Sequence, residues 1–233
     1  MRVGILALQG AVREHAAVLE QLGRRVSLVR RPDDLEGLQG LVLPGGESTA
    51  IARLARPAGL LGAVRERIDG GLPVFGTCAG LILLADDVSD PAALSGLPTI
   101  GGLNVTVRRN AFGAQLASGE ADVQLTAGAL SGPGSVAAAS RGRAGEPWAP
   151  ALTSRGGRAG SGAAAPPPGS GAGRMRGVFI RAPRIERVGA GVEVLAVRDD
   201  EPVAVRQGAV VACTFHPELV PDPALHRLWL GGV

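Results

Sequence analysis

The sequence predicts an α/β protein in which helices cover both faces of a mixed, mostly parallel central sheet. In the first part of the chain, short apolar runs alternate with segments of helical periodicity, an order typical of β-α-β units and parallel strands. In the second part, short strands follow one another with turn residues between them, which indicates antiparallel pairing. The expected architecture is therefore a three-layer α/β/α fold, flavodoxin-like, with an antiparallel extension of its sheet.

The parallel part begins with residues 3–8, a continuous apolar run typical of a strand that is buried on both faces. The helix after it should end at Gly23, because glycine is favoured just beyond a helix C-terminus. The third strand should end where Pro44, Gly45 and Gly46 interrupt the apolar run. The pattern predicts strands at 3–8, 25–29, 40–43 and 72–76, and helices at 14–22, 48–54, 58–69 and from 79 to 85.

The antiparallel part is predicted from short runs rich in β-branched residues. The expected strands are 102–108, 120–125, 177–180, 192–197, 203–207 and 210–215, followed by a last short helix at 222–230. Hydrophobic residues make up 45% of the chain and aromatic residues only 3%, so the core between these elements must be mainly aliphatic.

Residues 131–176 interrupt this order with low-complexity sequence. They have almost no bulky apolar residues apart from Val136, Trp148 and Leu152. Such a composition cannot bury enough surface to offset the entropy lost on ordering. We therefore expect a single domain over residues 1–233, with 131–176 as a disordered insertion within it.

The basic character of the chain comes from this insertion. The net charge is +3, and six arginines with one glutamate give residues 131–176 a charge of +5, which leaves +3 − 5 = −2 elsewhere. A slightly acidic folded part argues against nucleic acid as a partner.

The chain carries no signal for export or membrane insertion. No apolar stretch reaches the ~18 residues needed to cross a bilayer, and the first residues lack the apolar core of a signal peptide. Cys78 and Cys213 are too few for a disulfide framework. We expect a cytoplasmic protein with reduced thiols and no membrane partner.

Cys78 is the strongest candidate for a reactive side chain. It stands between an apolar run that ends at Gly76 and the helix that follows, as in a strand-turn-helix nucleophile elbow. A helix N-terminus favours the thiolate, and the N–H of Ala79 could bind an oxyanion. The competing interpretation is that Cys78 is a small buried hydrophobe, and the elbow alone leaves both interpretations open.

His216 and Glu218 supply a candidate base and a carboxylate to orient it. They follow an apolar run, so His216 should lie at the end of a strand. Thiol, imidazole and carboxylate together form a proton relay. Of the other two histidines, His15 is the second candidate base, and His226 falls in the last predicted helix and is expected to face solvent.

Gly45 and Gly46 form a turn between a predicted strand and a predicted helix. Glycines at such a turn let backbone N–H groups approach a ligand closely, although a simple connection is equally open from the pattern alone. Ligands of open α/β sheets bind beyond the carboxyl ends of the strands, where this turn, Cys78 and His216 should all lie.

These motifs together resemble the class I, triad-type glutamine amidotransferases, and in particular the glutaminase subunit of pyridoxal 5′-phosphate synthase. The motifs are, in order, GILALQGAVREH at 4–15, LPGGEST at 43–49, FGTCAGL at 75–81, RRNAFG at 108–113, GVFIRAP at 177–183 and FHPEL at 215–219. Their order and spacing cover nearly the whole chain outside residues 131–176.

The resemblance implies a role for each site residue. Cys78 attacks the side-chain amide of L-glutamine, and His216, oriented by Glu218, acts as base and then as acid. The N–H groups of Gly46 and Ala79 hold the oxyanion. The implied glutamine contacts are Gly46, Glu47, Ser48, Arg109, Ile180 and Arg181. Neither a metal nor a cofactor is implied.

The resemblance also implies a partner, a (β/α)8-barrel synthase subunit that uses the ammonia to make pyridoxal 5′-phosphate. The implied assembly holds up to twelve copies of each subunit. Residues 9–15 are implied to contribute to docking, which would explain His15 better than a role as base. The insertion and a short last helix depart from the family pattern, but they remove no catalytic residue.

Two alternatives stay open. A cysteine peptidase or chaperone-like hydrolase on the same fold would act on a peptide or an aldehyde. An inactive regulatory partner would bind the synthase without turnover, although the presence of Cys78, His216 and Glu218 argues against it.

Overall fold

The structure, a computed structural model, describes residues 1–109, 119–131 and 173–232. The strands are β1 (Arg2–Leu6), β2 (Arg25–Val29), β3 (Gly40–Leu43), β4 (Val74–Thr77), β5 (Ala85–Val88), β6 (Leu103–Arg108), β7 (Gly119–Leu125), β8 (Arg174–Phe179), β9 (Arg184–Val188), β10 (Glu193–Arg198), β11 (Glu201–Gln207) and β12 (Val210–Cys213). The helices are α1 (Val12–Gln21), α2 (Ser48–Ala55), α3 (Leu60–Asp69), α4 (Ala79–Leu84), α5 (Ala127–Ser131) and α6 (Ala224–Gly231).

The central sheet has nine strands in the order β2-β1-β3-β4-β12-β11-β10-β7-β8. The pairs from β2 to β12 are parallel, and those from β12 to β8 are antiparallel. This arrangement confirms the predicted mixed sheet with an antiparallel extension. It also places the carboxyl ends of β1, β3, β4 and β12 side by side at one edge.

Helices cover the two faces of the parallel part of the sheet because its strands are apolar on both sides. In β3, Leu41 and Leu43 pack into one core and Val42 into the other, as the two-residue period of a strand requires. Helices α2, α3 and α4 contribute buried residues to the first core, and α1 and α6 contribute to the second. The three-layer prediction is therefore confirmed.

Five of the six helices lie close to their predicted positions, α5 was not predicted, and all six are short. The two longest, α1 and α3, have ten residues each. Helix α4 stops at Leu84 because Ala85 is already extended, with ψ 137°, and begins β5. Within the described ranges, no helix has both the length and the apolar character that a bilayer crossing requires.

A second sheet, in the order β5-β6-β9, was not predicted. Its centre is β6, which the sequence placed in the antiparallel extension of the main sheet, and β6 pairs in parallel with β5. Strand β5 gives no strand signal in the sequence because Asp86 and Asp87 interrupt its apolar pattern. The prediction for residues 102–108 was therefore right about a strand and wrong about its sheet.

The predicted insertion lies mostly outside the described residues, which stop at Ser131 and resume at Gly173. The prediction of disorder was wrong for the last three residues of the insertion, because β8 already begins at Arg174. Arg174 and Arg176 pair with Gln124 and Asp122 of β7, and this ladder supplies backbone partners that a composition argument does not consider.

Candidate active site

Cys78 lies in a strained turn between β4 and α4. Its backbone has φ 47° and ψ −99°, a conformation that non-glycine residues rarely adopt. Its N–H donates to Cys213 O on β12 at 2.9 Å, which fixes the turn to the neighbouring strand. The predicted nucleophile elbow is therefore present in the structure, and it directs Cys78 into a cavity.

The glycines around Cys78 are required by close packing. A Cβ at Gly80 would lie 2.2 Å from the backbone oxygen of Leu43, and one at Gly76 would lie 2.6 Å from Leu84 Cδ1. These contacts bring the start of α4 against the end of β3. The N–H of Ala79 lies in the first turn of α4, where backbone donors have no acceptor within the helix.

His216 reaches the same edge from the other side of β4. Its N–H donates to Val178 O on β8 at 2.8 Å, and its Nδ1 lies 2.7 Å from Glu218 Oε1, both side chains being nearly buried. When Nδ1–H donates a hydrogen bond to Glu218, Nε2 is free to exchange a proton with Cys78. The structure thus brings together the three residues that the sequence proposed as a relay.

The electrostatics favour a protonated His216. Burial opposes the charged imidazole, but hydrogen bonds with Cys78 and Glu218, together with their negative charges, raise the pKa of His216 to about 10. Burial also opposes ionisation of Glu218, yet the imidazoles of His15 and His216 hold the pKa of Glu218 below its usual value. A protonated imidazole that is held by a carboxylate can act as a general acid.

The Gly-Gly turn is held by four different groups. Gly45 N–H donates to Thr77 Oγ1 at 2.9 Å, Gly45 O accepts from Ala11 N–H at 3.0 Å, and Glu47 N–H donates to Gln9 Oε1 at 2.8 Å. His216 lies against the turn, since a Cβ at Gly45 would be 2.3 Å from its Cε1. The turn is therefore a fixed part of the site.

Eight of the ten predicted site residues line one cavity of about 440 Å³. Ala79 and Glu218 are the other two, and both are buried behind the cavity wall. The cavity is lined by Gln9, Gly10, Ala11, Glu14, Gly45, Gly46, Glu47, Ser48, Cys78, Ile82, Arg109, Ile180, Arg181, His216 and Leu219. Its volume and mixed polar and apolar lining suit a small, polar molecule.

The predicted substrate contacts sit on three different segments of the wall. The Glu47 carboxylate caps α2 by accepting from Thr49 and Ala50 N–H. It also forms an ion pair with the Arg109 guanidinium at 3.4 Å. The backbone N–H of Arg109 donates to the Asp90 side chain. Ile180 and Arg181 are exposed at the rim. The roles of these residues in substrate binding stay predictions.

The prediction that His226 faces solvent was wrong. It is fully buried, and its Nε2 lies 3.0 Å from His15 Nδ1. Burial lowers the pKa of His226 to about 3, helped by the neighbouring His15. The prediction failed because an eight-residue helix beside the core buries most of its residues, so position in a helix does not define its solvent face.

His15 also differs from its expected place at a docking surface. It is fully buried behind the relay, 3.5 Å from Glu218 Oε2 and 3.2 Å from Thr77 Oγ1. Burial, and the nearby His216, lower its pKa although Glu218 opposes the shift. Among residues 9–15, it is Gln9, Gly10, Ala11 and Glu14 that line the cavity.

Sequence reasoning gave Gln9 and Thr77 no role within the site. A signal for Gln9 exists, because it is a polar residue just beyond β1, whose carboxyl end borders that of β3. Thr77 carries no comparable signal, since a threonine at the end of a buried strand is common. Across the described ranges, no cluster of three or more His, Cys, Asp or Glu side chains has a metal-binding arrangement.

Comparison with known proteins adds three findings. The SNO glutamine amidotransferase family matches residues 5–132 and 170–230. A Parafrankia sp. protein named pyridoxal 5′-phosphate synthase subunit PdxT is 46% identical, over 98% of this chain and 91% of its own length. A Clavibacter michiganensis protein with the same name is 45% identical, over 98% and 88% of the two chains.

A solved structure is similar along its full length. The crystal structure titled glutamine amidotransferase superimposes with a TM-score of 0.74 at 41% sequence identity, covering 99% of each chain. The similarity therefore extends over both parts of the central sheet, including the strands that hold Cys78 and His216.

Proposed function

Because the chain belongs to the SNO glutamine amidotransferase family, we propose that it hydrolyses L-glutamine to L-glutamate and ammonia. The ammonia passes to a partner synthase for the synthesis of pyridoxal 5′-phosphate. The observation that carries this proposal is the convergence of Cys78, His216 and Glu218 at one cavity of a size suited to an amino acid. The names of the two bacterial relatives support the same product.

In the proposed reaction, the Cys78 sulfur attacks the side-chain amide carbon of glutamine. The carbonyl oxygen becomes an oxyanion that accepts hydrogen bonds from the N–H groups of Gly46 and Ala79. His216 gives its proton to the leaving nitrogen as the carbon–nitrogen bond breaks, so that ammonia leaves and a thioester remains. Water then attacks the thioester while His216 takes its proton, and glutamate leaves with the proton returned to the sulfur.

The glutamine backbone groups are proposed to bind at the cavity wall. A guanidinium is well suited to an amino-acid carboxylate because it can donate two parallel hydrogen bonds, and Arg109 and Arg181 both line the cavity. The Glu47 carboxylate forms an ion pair with Arg109 and can also bind the ammonium group of the substrate. Gly46, Ser48 and Ile180 complete the proposed set of contacts.

The partner is proposed to be a (β/α)8-barrel synthase that assembles with this chain in up to twelve copies each. Ammonia released into water would be protonated, so transfer inside a complex preserves the nucleophile. Two exposed apolar side chains at the cavity rim, Ile180 and Leu219, support docking over its mouth. We also propose a cytoplasmic location, since a reducing compartment keeps free thiols such as Cys78 and Cys213 reduced.

The test is an assay of glutamate and ammonia released from L-glutamine, with and without the cognate synthase. We expect release that rises when the synthase is added and that stops when Cys78 is alkylated. Peptide or aldehyde turnover without glutamine turnover would favour another cysteine hydrolase. Binding to the synthase without any turnover would identify an inactive regulatory partner, and either outcome would refute the proposal.

A further inference from the structure

A buried polar network lies directly behind the relay. His15 on α1 is in contact with Thr77 on β4, Glu218 after β12, and His226 on α6, and none of the four is more than 2% exposed. Buried polar side chains cost free energy unless they are paired, so a network joining four separate segments of the chain indicates a specific requirement.

The proton positions in this network follow from the charges. Glu218 Oε2 is buried, has no hydrogen-bond partner among the described residues, and faces His15 Nε2 at 3.5 Å. We therefore assign the His15 proton to Nε2, and Nδ1 then accepts from His226 Nε2–H at 3.0 Å. The group left unpaired is His226 Nδ1, an acceptor, which costs less than an unpaired buried N–H.

The same network reaches the oxyanion turn. His15 Nε2 lies 3.2 Å from Thr77 Oγ1, and Thr77 Oγ1 accepts the N–H of Gly45 at 2.9 Å. The residues just before α1 hold that turn as well, through Ala11 N–H to Gly45 O. One side chain thus contacts both the carboxylate that orients His216 and the hydroxyl that fixes the turn.

We propose that His15 is a positioning residue, whose Nε2 holds Glu218 in place and, through Thr77, holds the Gly45 turn in the geometry needed to bind the oxyanion. His15 does not line the cavity and touches no reacting atom. The inference rests on the proposed function where turnover is measured. Its second readout, the alkylation rate of Cys78, does not need turnover.

Two amide substitutions separate the two ring nitrogens. His15→Gln places an amide nitrogen near the Nε2 position, and His15→Asn keeps only a group near Nδ1, which faces His226. We expect His15→Asn to lower kcat at least ~10-fold with KM changed less than ~3-fold, and His15→Gln to retain at least about a third of kcat. Packing alone would also rank Gln above Asn, because Asn is one methylene smaller, so His15→Leu is the deciding control: it fills the site without a polar group and should lose kcat as His15→Asn does, whereas a role in packing alone would let it keep kcat.

The network has two arms: one runs from His15 to Glu218, and the other runs from His15 through Thr77 to the Gly45 turn. The rate at which iodoacetamide alkylates Cys78 separates them. Intact mass measures this rate, with the Cys78→Ser variant as the blank. His15→Asn should slow alkylation at least ~3-fold because the His216–Glu218 pair is released. Thr77→Val should lower kcat ~10-fold and leave the alkylation rate within ~2-fold, since alkylation forms no oxyanion. Thr77→Ser keeps the hydroxyl and should restore most of kcat.

Loss of stability is controlled with Leu225→Ala, which removes buried apolar contacts of α6 and none of the polar groups of the network. We expect this variant to lower the melting temperature while keeping kcat. Equal kcat and equal alkylation rates for His15→Asn and His15→Gln would overturn the proposal. If the wild-type chain hydrolyses no glutamine, the proposed function fails, and the alkylation ranking of the two His15 variants still decides this inference.

Discussion

The two cysteines are the same side chain in very different surroundings, although their backbones share a hydrogen bond. Cys78 opens into the cavity, which His216 also lines. Cys213 is fully buried and donates to Phe215 O, and burial with the negative charge of Glu218 raises the pKa of its thiol far above the usual value. A shift of one position beyond a strand end therefore separates a thiol that faces the cavity from one that is enclosed in the core.

The first prediction compares these two thiols. Cys78→Ala should lower glutamine turnover by ~10³-fold or more, because no other side chain can form the thioester. Cys213→Ala removes one buried sulfur and should keep kcat within a few-fold. Steady-state ammonia release from the two purified variants measures both effects, and a Cys78→Ala protein with normal turnover would remove Cys78 from the mechanism.

The second prediction concerns the glycine that lets α4 approach β3. Gly80→Ala places a methyl group 2.2 Å from the backbone oxygen of Leu43, so the helix start must move. We expect a loss of stability of ~2 kcal/mol or more and a fall in kcat, because Ala79 N–H moves with it. Gly62→Ala is the matched control on α3: its Cβ meets nothing within 4 Å, and it should stabilise by ~0.5–1 kcal/mol. Urea unfolding and kcat for both variants provide the test.

At the scale of elements, the site is a meeting of strand ends. Strands β1, β3, β4 and β12 contribute Gln9, the Gly45 turn, Cys78 and His216 at one edge of the sheet. Helix α6 supports this edge from behind, where Trp229 stacks on Phe75 with ring centroids 5.8 Å apart. The polar contact between α6 and α1 is the pair His226 and His15.

The third prediction follows from that histidine pair. The folded-state pKa of His226 is about 3, below its ordinary value of 6.5, so between these values the unfolded chain binds a proton that the folded chain does not. Its contribution to stability is complete above pH 6.5 and is lost as the pH falls, with a slope of up to ~1.4 kcal/mol per pH unit. The lowered pKa of His15 acts in the same direction.

Urea unfolding at several values between pH 7.5 and 5 measures this slope. Between pH 7.5 and 6.5 the raised pKa of His216 acts in the opposite direction, because only the folded state keeps that proton, whereas below about pH 6 both states are largely protonated and His216 contributes little change. The slope that His226 predicts is therefore read between pH 6 and 5. His226→Gln cannot titrate and can still donate to His15, so it should flatten the slope. An unchanged slope in His226→Gln would show that the acid sensitivity arises elsewhere.

At the scale of the whole molecule, the site depends on both halves of the sheet. The parallel half holds Cys78 and the Gly45 turn, and His216 is fixed by an isolated bridge to Val178 in the antiparallel half. The chain on either side of the insertion therefore has to come together for the relay to form. The ends that border it are close, since Leu125 N–H donates to Gly173 O and a Cβ at Gly173 would lie 3.7 Å from Leu130.

The fourth prediction uses this closeness. Replacing residues 133–171 with a short Gly-Ser linker should leave the melting temperature and kcat nearly unchanged, because a short connection can close between adjacent strands at small entropic cost. Removing residues 131–176 also deletes Arg174–Arg176 of β8 and their pairing with β7, and should destabilise the fold. Thermal unfolding and turnover of the two deletions give the comparison, and equal behaviour would show that the start of β8 is dispensable.

The sequence by itself determined the fold class and the grouping of Cys78, His216 and Glu218. Both depend on local patterns, since apolar runs mark buried strands, and parallel strands bring their carboxyl ends to one edge. Most strand and helix positions followed from the same signals, within a few residues at most ends, but β5, β9 and α5 were not predicted.

Only the tertiary structure decided how the groups behind the site are arranged. His15 and His226 are 211 residues apart in sequence, and their burial and contact follow from the packing of α1 and α6 on one face of the sheet. The bond from Gly45 to Thr77, the sheet of β5, β6 and β9, and the start of β8 likewise depend on partners distant in the chain. Local patterns carry no information on such partners, because side-chain pairing is set by which surfaces meet once the elements have packed.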